Sequence, residues 1–152
     1  MRVIGIGRRM REARKNEGLT QADAAYEAGV AATTWLAYEH GKLIPRMPTL
    51  VRFCLGSPND PIAFILDDDS LSANRYRIGK LGERIGIALR RYEKSLFDVA
   101  SGMQTHSTTT TIFAWQSGKH QPSIVNIMQM ARYFGESPRW LAGFDSKRKG
   151  DK

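Results

Sequence analysis

Leu19-Thr20-Gln21-Ala22-Asp23-Ala24-Ala25, then Gly29, then Trp35-Leu36-Ala37-Tyr38-Glu39-His40-Gly41-Lys42-Leu43-Ile44-Pro45 is the stretch on which the fold turns. Thr20 followed three residues later by Asp23 is the start signal of a helix: the hydroxyl accepts a free backbone N–H and the carboxylate answers back. Gly29 suits a tight turn. A further helix is predicted from about Ala31 to Glu39, with Gly41 at the position after a helix end. Pro45 stops helical continuation and introduces another helix. Upstream, Met10 and Ala13 share one face of a helix over Ile6–Lys15; downstream, Leu50-Val51-Phe53-Cys54 and Ile62–Leu66 read as two more.

The same order returns about 75 residues later. Gly82-Glu83-Arg84-Ile85 answers Gly7-Arg8-Arg9-Met10, and Ser95-Leu96-Phe97-Asp98-Val99-Ala100 answers the Thr20 segment. Phe113-Ala114-Trp115-Gln116-Ser117-Gly118-Lys119-His120-Gln121-Pro122 answers the segment ending at Pro45. Thr20 and Ser95 are 75 apart and the Gly-Lys-x-x-Pro segments 77 apart, so the second copy carries about two extra residues at its turn. Its helices are predicted over Ile78–Tyr92, from Ser95, over Thr108–Gln116, through Ile124-Ile127-Met128-Ala131-Phe134, and over Pro138–Leu141. The expected architecture is all-α: two tandem five-helix domains, 1–66 and 76–143. An acidic and polar linker, 67–75, would join them, and a basic tail, 144–152, would follow.

The 152 residues, 41% apolar and 25% charged, suit a globular protein. No stretch approaches the roughly 20 apolar residues that span a bilayer. Met1–Met10 has arginines but no apolar segment, so no secretory signal is expected. The single cysteine, Cys54, lies between Phe53 and Leu55 and reads as a buried structural thiol. Together these point to the cytoplasm. The net charge of +8 favours a polyanion, nucleic acid before an anionic membrane; the plain alternative is a solubilising surface. Residues 1–75 hold ten Lys/Arg and nine Asp/Glu; residues 76–152 hold thirteen and six. The second half should therefore feel phosphate more strongly.

At these residues the chain resembles the lambda-repressor-like helix-turn-helix family, of the xenobiotic-response-element (Cro) type. The first copy matches at Leu19, Thr20, Gln21, Ala25, Gly29, Val30, Glu39, Gly41, Lys42 and Pro45. The second matches at Ser95, Val99, Ala100, Trp115, Gly118, Lys119, Pro122, Ala131 and Ser137-Pro138-x-Trp140-Leu141. The resemblance implies that each third helix enters the major groove. Thr20, Gln21 and Ser95, opening the second helices, would sit on phosphate. Ala32, Thr33, Thr34, Leu36 and Ala37 in one copy, and Thr108, Thr109, Thr110 and Phe113 in the other, would face base edges. Lys42, Lys119 and His120 would touch the backbone.

The departures from that pattern are specific. Ala31-Ala32-Thr33-Thr34 opens the first reading helix where the family more often has Ser, Arg, Asn or Gln; the alternative is a helix turned to protein contact. No glycine occupies the second turn. Gln104-Thr105-His106-Ser107 lies there, either bonding DNA or forming a longer polar loop. Phe113 either packs on a methyl-rich base step or belongs to the core. Trp35, Trp115 and Trp140 read as core. His40, His106 and His120 are scattered and make no metal signature, Gly5-Ile6-Gly7 is no dinucleotide fingerprint, and Ser117 is in no nucleophile elbow.

The expectation is a non-enzymatic, cofactor-free regulator that binds double-stranded operator DNA, of a phage or mobile-element type and nucleoid-associated, with no membrane partner. A homodimer is left open. The alternative gives DNA binding to the second domain alone, with the first serving dimerisation or a protein partner, as in an autoregulating antitoxin.

Overall fold

A computed structural model describes residues 1–103 and 107–146. The described chain is helical and divides into two compact units, the first covering Met1–Arg75 and the second beginning at Tyr76. Among the described residues the only β pairing is an isolated bridge between Tyr76 and Phe144.

The first unit contains α1 (Ile6–Asn16), α2 (Gln21–Ala28), α3 (Ala32–Glu39), α4 (Met47–Leu55) and α5 (Ile62–Ile65), then a 3-10 turn at Ala73–Arg75. Ile6, Met10 and Ala13 form the buried stripe of α1 at helical spacing. Thr20 caps α2 with both halves of a capping box: Asp23 N–H donates to Thr20 Oγ1 (3.1 Å), and Thr20 N–H to Asp23 Oδ2 (3.1 Å). Those bonds to the charged form hold the Asp23 carboxyl below its ordinary range. Gly29 ends α2 at φ 73°, a left-handed conformation that glycine adopts without steric cost, and Val30 N–H returns to the Ala25 carbonyl (3.0 Å). Trp35 lies 4.6 Å from the Phe53 ring, centroid to centroid, at the centre of the core. Cys54 is fully buried, and burial pushes its thiol far up, away from reactivity.

The second unit repeats the plan with α6 (Lys80–Arg91), α7 (Leu96–Gly102), α8 (Thr109–Ser117), α9 (Ile124–Phe134) and α10 (Pro138–Ala142). Ser95 and Asp98 form the second capping box. The packing scheme is also the same. Helix 1 of each unit lies on helices 3 and 5, helix 2 on helices 3 and 4, and helix 4 on helix 5.

Two devices recur at corresponding positions. Gly7 of α1 crosses so close to α3 that a Cβ would run into the Tyr38 carbonyl oxygen; Gly82 of α6 does the same against the Gln116 carbonyl. Arg9 Nε donates to the Ile65 carbonyl at the end of α5 (2.6 Å), and Arg84 Nη1 to the Trp140 carbonyl in α10 (2.6 Å). Each arginine ties the first helix of its unit to a carbonyl of the last helix.

Three sequence readings change. Residues 67–75 belong to the first unit instead of spanning between units: Leu71 and Ala73 are buried, Arg2 N–H donates to the Leu66 carbonyl, and Ala73 N–H donates to Asp60 Oδ2 (2.8 Å). Phe144 and Asp145, assigned to the tail, are likewise part of the second unit: Phe144 is buried, and Asp145 pairs with Arg84 at 3.3 Å. Trp140 is half-buried, unlike Trp35 and Trp115. The Arg84 and Arg91 guanidiniums both lie over its ring, each 5.4 Å from the centroid.

Candidate nucleic-acid interface

In the first unit the pair α2–α3 is set by the Gly29 turn and by what lies beneath α3. Trp35 and Tyr38 bury the inner side of that helix. Of the other positions, Ala32 and Thr33 are exposed, Leu36 is 37% exposed, and Thr34 and Ala37 are half-buried. These are the residues expected to face bases, and the structure places them on one helix.

The last turn of α3 is held by a buried polar network. Arg14 Nε donates to Glu39 Oε1 (2.5 Å) and Arg14 Nη1 to the Leu19 carbonyl (2.9 Å), while Gln21 Nε2 donates to Glu39 Oε2 (2.8 Å). Burial alone would raise the Glu39 carboxyl; the bonds from Arg14 and Gln21 outweigh it and leave the group below its ordinary value of 4.5. Gln21, expected on phosphate, therefore already uses an amide N–H internally. Thr20 is exposed beside it. After Glu39 the chain turns at Gly41 (φ 72°), leaving Lys42 exposed and Pro45 buried.

In the second unit Thr108 is the cap of α8 and not its first residue: Thr111 N–H donates to Thr108 Oγ1 (3.2 Å). Ile112, Ala114 and Trp115 are buried, leaving Thr109, Thr110, Thr111 and Phe113 outside. Phe113 is 57% exposed, which removes the core alternative for it. Gly118 turns the chain at φ 80°, and Lys119 and His120 are exposed after it. Ser95 is exposed at the opening of α7, and Ser107 is half-buried. Gln104, Thr105 and His106 lie outside the described residues, as does most of the basic tail.

Sequence reasoning missed exposed residues on the same helices. Phe97 (68% exposed) stands two positions from buried Val99, about 200° around α7, so its outward direction was readable from the period. Thr111 belongs to the same threonine run as its predicted neighbours. Leu43 and Ile44, exposed after α3, had no local signal. Among the described residues no three of His, Cys, Asp and Glu converge on a metal-sized site, and no helix is long and apolar enough to cross a membrane.

Residues 6–56 match the family model of a helix-turn-helix domain, from the start of α1 to just past the end of α4. No curated protein and no solved structure matches the chain. The match lies within the first unit and supports a helix-turn-helix assignment for it.

Proposed function

We propose, from the helix-turn-helix match at residues 6–56, that the chain is a sequence-specific regulator that binds double-stranded operator DNA and represses by occupying it. One observation carries the reading: in both units, a helix opened by a capping box (α2, α7) is followed by a helix whose inner face is anchored by buried aromatic or aliphatic residues and whose outer face is exposed. A helix held from below and free above is what insertion into a major groove requires. We take the second unit as a second copy of xenobiotic-response-element type, and the two unlike outer faces as suited to an asymmetric, bipartite site. Lys42 and Lys119, exposed after the turn glycines, are assigned to phosphate. The net charge of +8 supports a polyanionic partner. The reading includes no catalytic step and no cofactor, and extends to a regulator of phage or mobile-element type.

The test is selection from random duplexes with the full chain, followed by titration over salt. One enriched motif with affinity falling steeply as salt rises is expected. Thr33→Ala and Thr109→Ala should relax preference at single positions, whereas Lys119→Ala should weaken all duplexes alike and shallow the salt slope by about one unit. Salt-sensitive binding without a motif would sink the reading.

A second reading is favoured by Ile4, Leu43 and Ile44, which are exposed along a groove of about 410 Å³ beside the α3 exit. It assigns the first unit to protein contact and DNA to the second. Lys42→Ala then leaves DNA affinity unchanged, which the first reading does not allow.

A further inference from the structure

We infer that both outer faces read DNA through the C5 methyl groups of thymine, so that the contacted operator positions are A·T pairs and the methyl itself, not the base edge alone, sets affinity. This rests on the DNA-binding reading above and narrows it to a chemical class of site.

The inference follows from what the two helices lack. Guanine is distinguished by a bidentate Arg or Lys, adenine by a bidentate Asn or Gln, and cytosine by a carboxylate accepting from its amino group. The exposed positions of α3 are Ala32, Thr33 and Leu36; those of α8 include Thr109, Thr110, Thr111 and Phe113. None is Arg, Lys, Asn, Gln, Asp or Glu. The polar exceptions on these helices are turned elsewhere. Glu39 is buried and paired with Arg14. The Gln116 amide nitrogen lies against Gly86 of α6, 3.4 Å from where a Cβ would stand.

What remains is methyl, ring carbon and the threonine hydroxyls, and carbon makes up most of it. Ala, Leu, Phe and the threonine methyl all contact the thymine methyl favourably. The hydroxyls that could act otherwise are partly committed: Thr108 Oγ1 accepts from Thr111 N–H and lies 3.0 Å from Thr111 Oγ1. A protein surface would also accept such faces. The charge of +8, with a lysine after each turn glycine, favours a polyanionic duplex as the occupant.

The experiment uses the full chain and the duplex enriched by selection. That duplex is resynthesised with deoxyuracil for each thymine in turn, which removes the methyl and keeps every hydrogen-bonding group. The expected motif is A·T-rich, and each contacted thymine loses about fourfold in affinity on conversion to deoxyuracil, the effect of one buried methyl group. Leu36→Ala and Phe113→Ala should each erase the thymine-to-uracil difference at their own positions. Phe113 is 57% and Leu36 37% exposed, and denaturant unfolding of each variant checks that the fold is kept. A G·C motif, or equal binding of the thymine and uracil duplexes, would overturn the inference while leaving sequence-specific DNA binding intact. Failure to enrich any motif would overturn both.

Discussion

In the first unit α3 is locked by a buried ion pair, Arg14 with Glu39, and by Gln21 on the other carboxylate oxygen. In the second unit the corresponding positions are Leu89, Gln116 and Leu96, and α8 sits on α6 without a buried charge. Everything around the difference is shared: the same helix pairings, the same close-approach glycine, the same capping box, and the same arginine on the last helix's carbonyls. The polar lock is therefore an addition to this architecture and not a requirement of it. A buried pair rarely adds net stability over apolar packing, but it punishes the loss of one partner.

That contrast predicts the largest effect. Glu39→Ala strands the Arg14 guanidinium and should cost about 3–5 kcal/mol, read by denaturant unfolding and by amide exchange over α1–α4. The double change Arg14→Leu with Glu39→Gln installs the second unit's residues at the ion pair itself and should come out near neutral. A double variant as damaged as Glu39→Ala would show that the lock is essential to the first unit. The pair also has a pH signature. Glu39 titrates below its ordinary value of 4.5 in the folded state. Its contribution is fully present above that value and is lost as pH falls through the lower folded one. The double variant should therefore lose less first-unit stability on acidification below about pH 4.5 than the parent chain.

Next in size are the shared glycines. Gly7→Ala and Gly82→Ala each drive a Cβ into a carbonyl oxygen of helix 3 in the same unit. Overpacking of this kind should cost about 1–3 kcal/mol at each site. Equal losses in the two units would confirm that the crossing is common to both. A benign Gly82→Ala beside a damaging Gly7→Ala would mean that α6, lacking the polar lock, can slide on α8. The caps come third: Thr20→Ala and Ser95→Ala should each cost about 1 kcal/mol, measured as separate shifts in exchange over α2 and α7.

How much of this was legible follows the range of each signal. The capping boxes and the glycine turns depend on residues a few positions apart, and the sequence pattern places them; of the residues expected to face out on α3, Thr34 and Ala37 are half-buried. Arg9 and Arg84 were not legible as clamps. A charge among Ile6, Met10 and Ala13, or among Leu81, Ile85 and Ala88, looks like a break in the apolar stripe until the carbonyls of α5 and α10 arrive from more than 50 residues away. Asp67-Asp68-Asp69 misled for the same reason. An acidic run reads as solvated chain, yet here Arg2 pairs with Asp67 at 3.0 Å and the segment folds back on its own unit. Trp140 read as core by its apolar neighbours, whereas the two arginines that lie over it come from α6, one helical face in a distant segment.

The smallest expected effect separates stability from binding. Thr108 caps α8, but its counterpart Ala31 offers α3 no side-chain acceptor, although its φ of −67° and ψ of 152° already have the extended form a cap needs. Thr34 N–H falls back on the Ala31 carbonyl at 3.0 Å. Ala31→Thr should therefore add about 0.5 kcal/mol, at the low end for a cap because the Thr34 N–H already has the Ala31 carbonyl. If the gain appears and affinity for the selected duplex is unchanged, the missing cap is simply unoptimised. If the gain appears and affinity falls, the uncapped N–H groups at the start of α3 are held open for phosphate, and stability has been given up there for binding. A loss of stability would instead show that the helix start cannot accept the added methyl and hydroxyl, and that α3 and α8 begin differently despite their shared frame.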